Sequence, residues 1–138
     1  MKYLLTFVVE ERSIENSSPE EMREAMEAWN AFDAEATEAG ALIACEPVEG
    51  SAAVTTIHLN DGGQRVVTDG PFAESKEQLG GFALLECENR DEALEWAHKV
   101  PMTSGAIEVR PVMDLSRFGY ESRTLTPARA SAETISGA

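Results

Sequence analysis

The sequence predicts an α+β sandwich in which two helices lie over one face of a sheet. Three observations carry that expectation. Two segments combine helical apolar spacing with N-cap signals, short β-branched runs flank each of them, and Asn60-Asp61-Gly62-Gly63 marks a tight turn between two such runs.

Taken in order, Lys2 to Val9 comes first. It is apolar on both alternations, with Tyr3, Leu5, Phe7 and Val9 on one side and Leu4, Thr6 and Val8 on the other. A strand buried on both faces reads this way. Residues 10 to 17 are polar and predict a loop. Ser18 then caps a helix, Pro19 suits its first position, and Glu21 completes a capping box. Met22, Ala25, Met26, Trp29, Phe32, Asp33 and Ala36 form its inner stripe, and Gly40 ends it. Ala41 to Glu46 predicts a short strand stopped by Pro47. Ser51 to Leu59 and Arg65 to Thr68 predict a hairpin. Gly81 to Cys87 is the next strand. Asn89 and Glu92 open a second helix with Ala93, Leu94, Ala97 and Val100 inside, and Pro101 closes it. Trp96 lies beside that stripe and suits either core or interface. Gly105 to Val112 is the last strand, with Ile107 and Val109 inward and Glu108 and Arg110 outward.

The order strand, helix, strand, hairpin, strand, helix, strand is that of a ferredoxin-like sandwich. It predicts one domain over residues 1–113. A small, polar tail over 114–138 is expected to be partly disordered or to pack on a partner subunit. Two helices cover only one face of such a sheet. The other face still has apolar residues to hide, Tyr3, Leu5 or Phe7 depending on register, and two sheets meeting face to face in a homodimer would hide them.

Composition narrows the function classes. The chain has 138 residues, enough for one core without a metal or disulfide staple. Its net charge of −14, from 25 acids against 11 bases, would be repelled by a nucleic acid or an anionic membrane. No apolar run reaches the length of a membrane span. The N-terminal MKYLLTFVVEE is too short in its apolar part for a signal peptide, so a cytoplasmic protein is expected. Cys45 and Cys87 form no CxxC or Cys/His cluster and read as free thiols in a reducing compartment. His58 and His98 belong to no metal-ligand spacing and read as structural or surface residues. No metal and no cofactor is expected.

The densest stretch is DGPFAESKEQLGGF, residues 69–82. It predicts a strand exit with Gly70 extended before Pro71, a loop anchored by burial of Phe72, a helical turn within Ala73 to Leu79, and a Gly80-Gly81 hinge. The same residues suit the rim of a pocket. Asp69 and Glu77 offer acceptors or a general base, Lys76 a cation for a carboxylate or phosphate, and Phe72 and Phe82 apolar walls. Glu46, at the end of its strand, joins this candidate ligand-binding set. The glycines match no phosphate-cradling pattern.

This stretch resembles the signature of the DGPF family, DGPFAETKEQLGGF, within the YCII-related superfamily. Ser75 stands where that signature has Thr. The resemblance extends to Ser18-Pro19-Glu20-Glu21, Gly40-Ala41, Asp91 to Ala97 and Gly105 to Pro111, and covers about residues 1 to 112. It implies a dimeric α/β barrel of ferredoxin-like protomers. Most of the family has no established reaction, and some relatives are fused to or encoded beside extracytoplasmic-function sigma factors. The wider superfamily implies a His-Asp pair, from which this chain departs: its first helix has no histidine, with Glu21 or Met22 in that region, and Cys45 stands where relatives often have Gly. Two functions stay open. One is a small-molecule-binding homodimer, with or without cofactor-independent enzymatic activity. The other is a regulatory or assembly module with a protein partner, tied to sigma-factor-type control and without catalysis.

Overall fold

The computed structural model describes residues 1–11 and 16–121. Strand β1 (Lys2–Glu10) leads to helix α1 (Pro19–Glu38), then strands β2 (Leu42–Pro47), β3 (Thr55–Leu59), β4 (Arg65–Asp69) and β5 (Glu77–Glu86). Helix α2 (Arg90–Lys99) and strand β6 (Ala106–Pro111) follow. The main sheet has the order β2-β5-β1-β6 with every pairing antiparallel, and β3 and β4 form a separate two-stranded sheet. This is an α+β chain of ferredoxin-like topology, as the element order predicts.

Local signals set the helix ends. The Ser18 hydroxyl accepts from the Glu21 N–H at 3.1 Å, with Pro19 in the first turn. Gly40 follows the helix at φ 74, a left-handed value that a side chain resists. At α2 the bonds are reciprocal. The Asn89 side chain accepts from the Glu92 N–H at 2.9 Å, and the Glu92 carboxylate accepts from the Glu88 N–H at 2.9 Å.

Register decides which face of β1 the helices cover. Tyr3, Leu5 and Phe7 point into the core with Ala83 and Leu85 of β5, under Phe32 and Ala36 of α1 and Ala93 and Trp96 of α2. Four rings join the helices to the sheet: Phe7 to Trp29 at 5.1 Å, Trp29 to Phe32 at 6.0 Å, and Phe32 to Trp96 at 6.3 Å, the last two edge-on. Trp96 is therefore core. The opposite face, helix-free among the described residues, carries the half-buried Leu4, Thr6 and Val8 instead.

Several expectations need correction. Met22 and Met26 continue the apolar stripe of α1 but are exposed, because the helix runs past the edge of the core. Ser51–Ala53 is a single 3-10 turn, so β3 begins only at Thr55. There is no helical turn over Ala73 to Leu79: Glu77, Gln78 and Leu79 already belong to β5, paired with β1. Gly70 is not extended but at φ 100, a glycine conformation. Phe72 is not a buried anchor, since 83% of it is exposed. At the C-terminal end, Asp114 caps a 3-10 turn over Leu115–Phe118, closed by Gly119 at φ 84. The expectation of a disordered or partner-packed tail falls mainly on residues 122–138, outside the described residues, as do residues 12–15 of the predicted loop.

Candidate functional site

The helix-free face of the main sheet is built by register. Thr6 of β1 lies opposite Phe82 of β5, which lies opposite Glu46 of β2; Leu4 lies opposite Leu84, which lies opposite Ala44. Side chains alternate along a strand, so these six share one face. A bulge between Phe7 and Val8 shifts the pairing by one, so that Val8 meets Leu79 and Glu10 meets Glu77. The unpaired residue is Gly80, whose carbonyl accepts from the Val48 N–H at 3.1 Å. The shift brings Leu79 and Glu77 onto the same face as Phe82. Three of the six predicted site residues, Glu46, Glu77 and Phe82, are thus on one surface. Its floor is the half-buried Leu4, Val8, Phe82 and Leu84, and Glu108 and Arg110 of β6 form its far edge, paired at 3.5 Å.

The other three lie on the hairpin and on the segment that leads from it into β5. Asp69 ends β4, opposite Thr55. The chain then turns at Gly70, whose N–H donates to the Val54 carbonyl at 2.7 Å and whose carbonyl accepts from the Thr56 hydroxyl at 2.6 Å. Phe72 leans on the His58 ring, with centroids 5.9 Å apart. Lys76 lines a cleft of about 440 Å³ with Glu10, Glu11, Glu74 and Ser75. Of the six, it alone reaches that cleft. Ser75 shapes the entry to β5: its hydroxyl accepts from the Glu77 N–H at 3.2 Å and its carbonyl from the Gln78 amide at 2.9 Å.

Sequence reasoning missed three features here. The Glu11 carboxylate accepts from the Ser51 N–H at 2.6 Å and the Ser51 hydroxyl at 2.8 Å, tying the loop after β2 to the end of β1. His58 shares a 2.9 Å hydrogen bond with the Thr68 hydroxyl across the hairpin. Beside Glu46, burial pushes the Cys45 thiol from 9.0 up to about 11, and the charge of Asp33 and a hydrogen bond to it add to the shift. Oδ1 of that same carboxylate is buried without a hydrogen-bond partner among the described residues. Such contacts cross between elements, so spacing in the sequence carries no trace of them. A thiol held protonated is a poor nucleophile. Among the described residues, no group of three or more His, Cys, Asp or Glu side chains is arranged to hold a metal, and no helix is long and apolar enough to cross a membrane.

Comparison with known proteins accords with this fold. The family model of the YCII-related domain matches residues 1–116. "Uncharacterized protein R00369" of Rhizobium meliloti (strain 1021) is 38% identical over 98 residues, which is 69% of this chain and 78% of that one.

Proposed function

The chain belongs to the YCII-related family, and on that footing we propose that it is a DGPF-type member acting as a cytoplasmic homodimer with a small-molecule site at the helix-free face of its sheet. One observation carries this reading: Leu4, Phe82 and Leu84 form an apolar floor that no helix among the described residues covers, and the carboxylates of Glu46 and Glu77 stand on the same face. Apolar floors with a few polar groups are the usual make-up of ligand sites. A second sheet laid over the first, about 10 Å away, encloses the floor and takes Glu46 out of water. A carboxylate in the wall of such a site suits proton transfer without a cofactor. Lys76 supplies the charge that meets a carboxylate or phosphate on the ligand. Phe72 completes the rim from the hairpin side, on the His58 face, whereas Asp69 lies on the other face of the hairpin.

The test combines solution mass with a thermal-shift screen of small metabolites against the wild type, Phe82→Ala and Glu46→Gln. The expected result is a dimer whose melting temperature rises with at least one compound class, with the rise lost in both variants. A chain that stays monomeric at every concentration, or compounds that stabilise both variants as well as the wild type, would overturn the reading.

A further inference from the structure

The β3–β4 hairpin stands apart from the main sheet, and among the described residues β4 pairs with β3 alone. All five residues of β4 are exposed. A lone two-stranded hairpin is marginal in water, and an unpaired edge of Val and Thr is a template for another strand.

Which backbone groups face outward follows from the ladder. The Asn60 N–H donates to the Gln64 carbonyl at 2.9 Å and the Gly70 N–H to the Val54 carbonyl at 2.7 Å. Bonded pairs recur at every second residue of an antiparallel ladder. The pairs between these ends are therefore His58 with Val66 and Thr56 with Thr68. Arg65, Val67 and Asp69 turn their N–H and C=O groups to the open edge, and their side chains share one face with Ile57 and Leu59. On that face Val67 is 63% exposed, Ile57 55% and Leu59 70%. Among the described residues, neither Arg65 nor Asp69 takes part in an ion pair.

We propose that β4 is a self-complementary edge that pairs antiparallel with β4 of a second copy, about a two-fold axis through Val67. A two-fold contact brings residue i against j and j against i. With the axis at Val67, Val67 meets its own copy, Arg65 meets Asp69 of the partner subunit, and Asp69 meets Arg65 of the partner subunit. The sheet grows to four strands, with a continuous apolar stripe of Ile57 and Val67 from both copies and an ion pair at each end. A shift of register by two residues would break both ion pairs, so the charges fix the register. The outer edge of β3 presents Thr55, Ile57 and Leu59 and has no charge pair to do the same. This contact is separate from the sheet-face association and stands without it.

The experiment is the solution mass of the full chain by sedimentation velocity across a concentration series, for the wild type, Arg65→Asp, Asp69→Arg, the double reversal and Val67→Pro. Each single reversal sets like charges opposite one another at both ends and weakens the association roughly tenfold or more. The mean mass at a fixed mid-range concentration then falls measurably, the midpoint of association moves up about tenfold in concentration, and the double reversal restores both. Val67→Pro also lowers the mass while sparing the hairpin, because the N–H it removes faces the open edge; circular dichroism of each variant checks that the fold survives. Single reversals that leave the mass unchanged, a double reversal that fails to recover it, or a monomeric wild type would each overturn the proposal.

Discussion

Gly81→Ala is the sharpest probe of how the main sheet is assembled. Gly81 is buried in β5, opposite Phe7 of β1 and Pro47 of β2. Its φ is not in the left-handed region, so what the position needs is space, not conformational freedom. A Cβ there would meet the Glu46 carbonyl oxygen at 2.8 Å, Phe7 Cδ2 at 3.3 Å and Pro47 Cα at 3.3 Å. Two of those three atoms belong to the backbone of β2, which cannot rotate away as a side chain can. Overpacking of this kind costs about 1–3 kcal/mol. Replacing glycine offsets about 0.5–1 kcal/mol of that by restricting the unfolded chain. The net loss spans about 0–2.5 kcal/mol and centres at about 1 kcal/mol, equivalent to roughly 3–4 °C in melting temperature for a chain of this size. Thermal and urea denaturation of the variant measure it. A Gly81→Ala protein that melts at or above the wild type would refute the claim that β2 approaches β5 through this residue.

Three further outcomes are expected. Because Cys45 is shifted up from 9.0 to about 11, the folded chain holds its proton more tightly than the unfolded one; that contribution to stability is intact below about pH 9 and is lost as pH rises through about 11. Asp33→Asn removes one cause of the shift, so alkylation of Cys45 at pH 9, followed by mass spectrometry, should be faster than in the wild type. Glu11→Ala leaves the Ser51 N–H and hydroxyl without their acceptor and should cost about 1–3 kcal/mol in urea denaturation, with earlier proteolytic nicking around residues 48–54. Phe32→Ala empties the centre of the ring ladder between Trp29 and Trp96 and should cost about 3–5 kcal/mol by the same measurement.

What could be read from the sequence was local. Ser18 and Asn89 announce their helices because a cap needs only the next three residues. The Asn60 to Gly63 turn is legible for the same reason, with Gly62 and Gly63 both at φ 83. Helical periodicity, by contrast, says which face of α1 is apolar but not where the sheet beneath it ends, so Met22 and Met26 read as core and are exposed. Residues 77 to 79 carry good helix formers, yet pairing with β1 overrides that preference. The candidate site was legible as a list of residue types and not as a place. Glu46 and Phe82 are 36 residues apart and meet only through the β2–β5 register, and the bulge that turns Glu77 to their side leaves a mark in the sequence only as a glycine.

That glycine belongs to the fourteen-residue stretch whose density of charge and aromatics first singled it out. Its charged members are spread out, with Asp69 on the hairpin, Lys76 at the cleft by Glu10 and Glu11, and Glu77 opposite Glu10. The two glycines act together. Gly80 absorbs the extra residue of the bulge and turns its carbonyl to Val48, while Gly81 lets the backbone at Glu46 and Pro47 come close. A side chain at 80 would strike Val9 at 2.6 Å, and one at 81 would strike the Glu46 carbonyl. The position of Glu46 against Phe82 is therefore set by glycines that touch no ligand in the proposed site. Substitutions at 80 and 81 should disturb stability and the Glu46–Phe82 surface together, whereas Asp69→Ala, at an exposed strand end, should leave stability nearly unchanged. Thermal melts of the three variants separate these two classes, and an Asp69→Ala loss as large as that of Gly81→Ala would contradict this division of roles between the glycines and Asp69.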